Sequence, residues 1–218
     1  MQRISSGSKD IDEFLGGGYL NGEVNMIYGP ATSGKTTFCL MTALHFAKDK
    51  KVLYIDTKNS FSVERVKQIN GDESLLDNII VKRVDSFDEQ EKLIGELPNI
   101  VKNKIKLVIL DVLDMHYRFV LRDEEVKLVN ARMAQQLVNL TRLARNNNIL
   151  VLVTNGVYED LKERKATMIG GKMVRNWPKL LIQLRQNEQK EAVLEKDENF
   201  ESEKIISFKL VNEGIEVL

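Results

Sequence analysis

An eight-residue segment near the N-terminus constrains the fold of this chain more than any other part of its sequence. Gly29-Pro30-Ala31-Thr32-Ser33-Gly34-Lys35-Thr36 fits the pattern G-x-x-x-x-G-K-[ST] at every defined position. It follows a β-rich run at 24–28 and opens an apolar helical run from Thr36 to about Ala47. Strand, glycine-containing loop and helix in this order are typical of a phosphate-binding loop in an α/β protein.

The residue types in this loop suit a triphosphate. Glycines let the backbone approach phosphate closely and point successive N–H groups at its oxygens, and the following helix adds the positive end of its dipole. We expect Lys35 to bridge the β- and γ-phosphates and the Thr36 hydroxyl to ligate Mg²⁺. The predicted cofactors are therefore ATP and Mg²⁺, with nucleotide contacts from Gly29 to Thr37.

The rest of the chain alternates short β-rich runs with longer helical patterns, which predicts an α/β fold with a mostly parallel sheet flanked by helices. Further parallel strands are predicted at 51–56, 79–84, 107–111 and 149–154, and helices at 62–69, 88–102 and 124–146, the second interrupted by Pro98. After residue 180 the runs at 180–184, 192–195 and 205–211 have no helices between them. They are predicted to be antiparallel strands that extend one edge of the sheet.

Two carboxylates end predicted strands and compete as the second half of the metal site. Asp111 follows a continuous apolar run, as expected for a central strand buried on both faces. It should emerge at the carboxyl edge of the sheet beside the phosphate loop, where it can position Mg²⁺ through a water molecule. Asp56 ends another strand, but the apolar run before Asp111 is cleaner and favours Asp111.

Composition excludes several classes of protein. The 218 residues are most simply one domain, and the 32 basic and 32 acidic residues cancel, so net charge alone predicts no nucleic-acid or membrane partner. One cysteine, Cys39, excludes an intrachain disulfide. Without an apolar leader or a run of about 20 apolar residues, the chain is expected to be soluble and cytoplasmic.

Several segments resemble the cores of archaeal and eukaryotic RecA-type recombinases. Residues 4–18, ISSGSKDIDEFLGGG, are similar to the I-S-T-G-S-x-x-L-D-x-L-L-G-G-G opening of those cores. Further similar segments are YIDT at 54–57 with Glu64-Arg65, LTRLA at 140–144 leading into VTN at 153–155, Gly170-Gly171 with Trp177, AVLEK at 192–196 and NEGI at 212–215. The last three resemble a short archaeal paralogue, which implies a RecA-type core over 1–218 without the recombinases' N-terminal helix-hairpin-helix domain.

Two positions depart from the recombinase pattern. Lys58 stands where the recombinases have the glutamate that activates the attacking water, and a lysine with a pKa near 10.4 is protonated at neutral pH. Gly156 stands where they have a glutamine thought to sense the γ-phosphate and signal to the DNA loop. We therefore expect ATP binding with very weak hydrolysis, poorly coupled to DNA; the alternative is that Asp56 or Glu64 serves as the base.

The resemblance places a second DNA-binding loop in a locally basic stretch. Residues 157–185 contain seven basic and three acidic side chains, whereas 186–204 contain seven acidic and three basic ones. The predicted single-stranded DNA contacts are Lys162, Arg164, Lys165, Lys172 and Arg175, with Tyr158 as a base-stacking face and Arg118 as a second contact near Tyr117 and Arg122. A solvated mixed-charge loop, and pairing of Arg118 or Arg122 with Asp123, Glu124 or Glu125, remain the alternatives.

The resemblance implies an accessory protein of DNA repair and homologous recombination. Such a protein would bind ATP and single-stranded DNA and would help the main RadA-type recombinase, and other recombination proteins, without catalysing strand exchange itself. The alternative function is a KaiC-like signalling ATPase, which switches partners with nucleotide and does not bind DNA. Retention on single-stranded DNA that declines with salt would distinguish the two.

Overall fold

The chain folds around one large twisted sheet. The computed structural model describes residues 2–102, 104–160, 165–197 and 203–218. Within these residues the strands are β1 (Arg3–Ile4), β2 (Tyr19–Leu20), β3 (Val24–Tyr28), β4 (Lys51–Asp56), β5 (Ile79–Arg83), β6 (Ile105–Asp111), β7 (Leu150–Asn155), β8 (Val157–Asp160), β9 (Lys165–Met168), β10 (Leu180–Gln186), β11 (Lys190–Lys196), β12 (Lys204–Val211) and β13 (Gly214–Val217). The helices are α1 (Lys9–Phe14), α2 (Lys35–Ala47), α3 (Val63–Asn70), α4 (Phe87–Ile100), α5 (Tyr117–Asp123), α6 (Val126–Asn147) and α7 (Gly171–Arg175).

The main sheet has the strand order β13-β12-β11-β10-β3-β7-β6-β4-β5. The pairs from β10 through β5 are parallel, and those from β10 through β13 are antiparallel. This confirms the predicted fold class of a mostly parallel sheet with antiparallel C-terminal strands. One strand differs, because β10 also pairs in parallel with β3 and so joins the two parts of the sheet.

The central strands are buried on both faces because helices cover each side. Along β6, Leu107 and Ile109 join an apolar cluster that includes α1 and α2, while Val108 and Leu110 join a second cluster that includes α4 and α6. This alternation follows from the period of two along a strand. Since the parallel strands all end at one edge, the polar residues that follow them meet there.

Four elements differ from the sequence prediction. Helix α4 runs through Pro98 and ends at Ile100, so the proline does not interrupt it before its last turn. Proline removes one backbone N–H, which costs less near a helix end than in the middle. Short helix α5 was not predicted as a separate element. Likewise β8 and β9, which pair antiparallel as a small hairpin, were predicted only as a loop.

Candidate nucleotide-binding site

The phosphate loop forms one wall of a cleft of about 360 Å³ at the carboxyl edge of the sheet. Helix α2 begins at Lys35, and its N-cap Gly34 has φ 110°, a left-handed conformation that favours glycine. Among the described residues no side chain caps this helix, so its first backbone N–H groups have no side-chain acceptor there. An uncapped helix N-terminus after a glycine turn suits an anion.

The loop packs tightly against its neighbours. A Cβ atom at Gly29 would lie 2.5 Å from the Leu184 carbonyl oxygen of β10, so a larger residue there would displace the loop from the sheet. Ser33 is fully buried, and its hydroxyl has no hydrogen-bond partner among the described residues. The loop therefore contains a buried polar group that a bound polar ligand could satisfy.

Lys35 lies inside the loop rather than in solvent. Its ammonium group donates to the carbonyl oxygens of Gly29 at 2.8 Å and Pro30 at 2.6 Å. Burial and, to a smaller extent, the positive charge of Lys58 together lower the pKa of Lys35 to about 8, against the opposing effect of Asp111. The ammonium group is thus held at the loop with weak neutral acceptors, which phosphate oxygens could replace.

The carboxylate of Asp111 is buried and accepts three hydroxyl groups. Its Oδ2 accepts from Thr36 and Tyr54, each at 2.8 Å, and its Oδ1 accepts from Thr154 at 2.5 Å. Burial raises the pKa of Tyr54 well above its usual range, and the Asp111 charge adds to this, so the phenol stays a donor. Thr36 and Asp111, predicted as a pair from sequence, therefore lie side by side.

Tyr54 and Thr154 are the residues of this network that sequence reasoning missed. They lie on β4 and β7, which flank β6, and each hydroxyl reaches the carboxylate only because of the register of these parallel strands. Polar residues near the ends of adjacent apolar strands were the available signal. Their neighbours in the sheet could not be assigned from sequence.

The competing carboxylate, Asp56, has a different task. Its Oδ1 accepts the backbone N–H groups of Lys58 and Ser60, both at 3.1 Å, and its Oδ2 accepts that of Phe61 at 2.9 Å. Asp56 therefore shapes the loop between β4 and α3. It is not among the residues that line the phosphate cleft.

Comparison with known proteins connects this geometry to a family. The profile of the family described as Rad51 matches residues 1–217. A protein described as "DNA repair and recombination protein RadB" from Archaeoglobus fulgidus is 38% identical, covering 99% of this chain and 100% of that protein. The chain belongs to the Rad51 family. Another RadB, from Methanocaldococcus jannaschii, is 33% identical over 95% of this chain and 99% of its own length.

A solved structure places the chain in the RadB group of that family. The crystal structure of the RadB recombinase superposes with a TM-score of 0.82 at 32% identity, covering 97% of this chain and 98% of the other. The resemblance drawn from the sequence motifs is thereby confirmed. Within the described residues of this RadB-group chain, no helix is both long and apolar enough to span a membrane.

The position expected to carry a catalytic glutamate presents a lysine to the cleft. Lys58 is exposed and lines the cleft together with Lys35, Thr36 and Asp111. Glu64, an alternative base, is exposed in the first turn of α3 and is not among the lining residues. Its own backbone N–H and the Ser62 hydroxyl lower the pKa of Glu64, which makes it a weaker proton acceptor.

Gly156, the second departure of this RadB-group chain, is packed against a buried carboxylate. Its N–H donates to Asp114 Oδ1 at 2.7 Å, and a Cβ at this position would lie 2.8 Å from Asp114 Oδ2. Asp114 in turn pairs with Arg118 at 3.0 Å. The predicted DNA contact Arg118 is therefore tied to Asp114 rather than to Asp123 or the two glutamates after it, although its side chain is about half exposed.

A second cleft, of about 670 Å³, adjoins the phosphate loop. Pro30 and Ala31 form one wall, and Val157 and Ala166 of the β8–β9 hairpin also line it. Ala31 lines both clefts. The phosphate loop therefore contacts both the candidate phosphate site and a cleft lined by the segment in which DNA contacts were predicted.

Only some of the predicted DNA contacts lie within the described residues. Lys162 and Arg164 lie outside the described residues, and of Lys165 only the backbone, at the start of β9, is described. Lys172 is exposed on α7, and Tyr158 on β8 is 50% exposed. Arg175 lines the second cleft and pairs with the buried Glu195 at 3.1 Å, so part of its charge is already matched.

Trp177 has a packing role. It lies against the apolar cluster that includes α4 and α6, and its indole N–H donates to the Thr141 hydroxyl at 2.8 Å. The ring thus anchors the segment between α7 and β10 to α6. A tryptophan held in this way is a packed side chain rather than an exposed stacking surface.

Proposed function

We propose that this chain is a RadB-type accessory protein of DNA repair and homologous recombination that binds MgATP and single-stranded DNA. The observation that carries the nucleotide part is the 2.8 Å pair of the Thr36 hydroxyl and the Asp111 carboxylate beside an uncapped helix N-terminus. Hard oxygen donors of this kind suit Mg²⁺. The cleft volume also lies within the ordinary range for small-molecule sites, roughly 300–1,000 Å³.

In this proposal each group of the loop has a distinct task. The first N–H groups of α2 and the Lys35 ammonium bind phosphate oxygens, for which Lys35 exchanges its two carbonyl acceptors. The Thr36 hydroxyl would ligate the cation and Asp111 would position it through a water molecule, and the bound cation would neutralise phosphate charge. Tyr54 and Thr154 fix the orientation of the carboxylate by donating to it.

We infer weak ATP hydrolysis from the state of the nearby carboxylates. Asp111 already accepts three hydroxyls and Asp56 three backbone amides, and Lys58 occupies the position of the missing base. A proton acceptor free to activate water is therefore absent from the described lining of the cleft. Loss of a positioned general base typically costs about 10²–10⁴ in rate.

The DNA-binding part of the proposal is supported by the basic stretch 157–185 and by the hairpin within it. The exposed ring of Tyr158 and the exposed ammonium group of Lys172 offer one stacking surface and one phosphate contact. The names of the relatives, which specify DNA repair and recombination, support the same role. As partners we propose the RadA-type recombinase and other recombination proteins.

The decisive experiment measures binding of a fluorescent single-stranded oligonucleotide across a series of salt concentrations. We expect wild-type affinity to fall with salt, and Lys172→Gln to bind more weakly and to reduce the slope by about 0.7, the value for one phosphate contact on a single strand. Lys104→Gln is the matched control. It removes the same charge from an exposed lysine just before β6, at the end of that strand away from Asp111. Binding that does not decline with salt contradicts phosphate contact, and no binding favours the KaiC-like alternative.

The partner is tested separately. Capture of the cell's RadA-type recombinase on the immobilised chain, with and without ATP, should show enrichment when nucleotide is present. Lys35→Ala, which removes the phosphate-binding ammonium, should abolish the difference between the two conditions. Equal capture with and without ATP would contradict a nucleotide-dependent partnership.

A further inference from the structure

Lys58 places a second ammonium group in the phosphate cleft. The residue is exposed and lines the cleft with Lys35, Thr36 and Asp111. Within the described parts of the chain, no hydrogen bond or ion pair involves the Lys58 side chain, whereas Lys35 already donates to two carbonyls. Among the described residues, the cleft thus contains one cation with two carbonyl acceptors and another with none.

The backbone that carries Lys58 is rigidly held. Asp56 accepts the N–H of Lys58 itself and those of Ser60 and Phe61, and Asn59 between them has φ 54°. Just before this turn, the Thr57 hydroxyl bonds both the N–H and the carbonyl of Val112 at 2.8 Å. These hydrogen bonds fix the backbone on which Lys58 lines the cleft, whereas a surface turn without them would not fix the position of a lysine.

The electrostatics of the cleft favour an additional anion. Lys58 and Lys35 are close enough that the charge of Lys58 helps to lower the pKa of Lys35 to about 8, after the larger effect of burial. A negative group between the two ammonium groups would relieve this repulsion. The proposed contact of Lys35 with the β- and γ-phosphates leaves oxygens of the γ-phosphate without a cation, so the additional acceptor for Lys58 would be this terminal phosphate of a triphosphate.

We propose that Lys58 binds the γ-phosphate and makes the cleft selective for ATP over ADP. The inference rests on the proposed function of the loop as an ATP site. Lys58, which stands in the position of a catalytic base, then binds the γ-phosphate. The cleft would therefore distinguish ATP from ADP by affinity and would hydrolyse ATP only slowly. Loss of the γ-phosphate would remove the acceptor of Lys58 and weaken binding.

The test compares the affinities of a non-hydrolysable ATP analogue and of ADP, both with Mg²⁺, by isothermal titration calorimetry. Lys58→Gln should bind the triphosphate about 10- to 100-fold more weakly, as expected for one hydrogen bond between charged groups, and should change ADP affinity less than about threefold. Lys58→Arg keeps the charge and should retain most of the selectivity. Lys104→Gln controls for net charge, since Lys104 lies about 20 Å from Asp111 along β6.

The possible outcomes separate this inference from the proposed function. Wild-type protein that binds the triphosphate analogue and ADP equally, or Lys58→Gln that loses affinity for both to the same extent, overturns the role of Lys58 but leaves the ATP site standing. Wild-type protein that binds neither nucleotide removes the ATP site itself. Because Lys58 is exposed, its variants should unfold at the wild-type temperature, which a thermal melt checks.

Discussion

At the scale of single residues, the charge of Lys35 depends strongly on its surroundings. Burial lowers its pKa to about 8, and a bound triphosphate would keep the proton in place. ATP affinity should therefore be constant below about pH 8, where Lys35 is already charged, and should fall as pH rises further because binding must then take up a proton. We expect a loss of about tenfold between pH 7 and 9.

Calorimetry in two buffers of different ionisation enthalpy checks this pH dependence directly. Near pH 8.5 the apparent binding enthalpy should differ between the buffers in proportion to the protons taken up. Circular dichroism at each pH confirms that the protein remains folded. An affinity that stays constant up to pH 9.5 would show that the Lys35 ammonium is not required for binding.

Lys58→Glu should raise ATP turnover, since it restores a proton acceptor beside Thr36 and Asp111. The expected gain is at least tenfold, toward the range of about 10²–10⁴ that a positioned general base contributes. Phosphate release under saturating MgATP measures it. Lys58→Gln removes the positive charge without adding a base and should give no comparable gain; equal rates in the two variants would show that something other than the missing base limits hydrolysis.

At this scale the sequence predicted which residues meet but not all of their partners. The motif and the apolar strand before Asp111 were enough to place Thr36 and Asp111 together, although their roles as ligands stay a prediction. Tyr54 and Thr154 could not be foreseen, because their contacts with Asp111 depend on the register of β4, β6 and β7. Asp114 was missed for a different reason: its pairing with Arg118 has local i,i+4 spacing, but its burial against Gly156 depends on the tertiary fold.

Among the elements, the connection from β7 to β8 has no room for a side chain at Gly156. A Cβ there would approach the buried Asp114 to 2.8 Å and Ile169 to 3.1 Å, so Gly156→Ala should destabilise the protein by about 1–3 kcal/mol. Gly95 is exposed in α4, and apart from its chain neighbours and the backbone of its own helix no described atom lies within 4 Å of where its Cβ would be, so Gly95→Ala should stabilise the protein by about 0.5–1 kcal/mol. Urea unfolding of the two variants measures both values.

The stability of Gly156→Ala also bears on the absence of the recombinases' glutamine at position 156. If Gly156→Ala is as stable as wild type, Asp114 moves easily, and Gly156→Gln becomes a fair test of coupling between nucleotide and DNA. A destabilised Gly156→Ala instead means that the chain has adapted its packing to glycine. Restoring the glutamine alone would then not restore the coupling.

Element prediction succeeded where periodicity was strong and failed where tertiary contacts decide. The strands from β3 to β7 and helix α6 followed from apolar runs and helical spacing. Pro98 was given too much weight, since α4 tolerates it near its end. The run at 180–184 pairs in parallel with β3 on one side and antiparallel with β11 on the other. Nothing in the sequence of the run itself indicates either pairing.

At the scale of the whole molecule, the phosphate loop is held by the C-terminal part of the sheet. The backbone carbonyl of Thr32 accepts from Lys190 at 3.0 Å, its hydroxyl donates to Gln186 at 3.3 Å, and the Leu210 side chain lies 3.1 Å from where a Gly34 Cβ would be. A ligand in the loop would therefore strengthen contacts between the parallel strands and the antiparallel extension. Its effect should extend beyond the cleft.

MgATP should accordingly stabilise the fold as one unit. At a free concentration 100 times its Kd, a ligand that binds only the folded state adds about 2.7 kcal/mol to the free energy of unfolding. Trp177, the only tryptophan, packs in the apolar cluster on the face of the sheet opposite α2. Its fluorescence in urea therefore measures unfolding far from the ligand, whereas far-UV circular dichroism measures unfolding of the whole chain. The two transitions should shift together in wild type and not at all in Lys35→Ala. A shift seen by dichroism alone would mean that the two layers unfold separately, and no shift by either probe would contradict the nucleotide site.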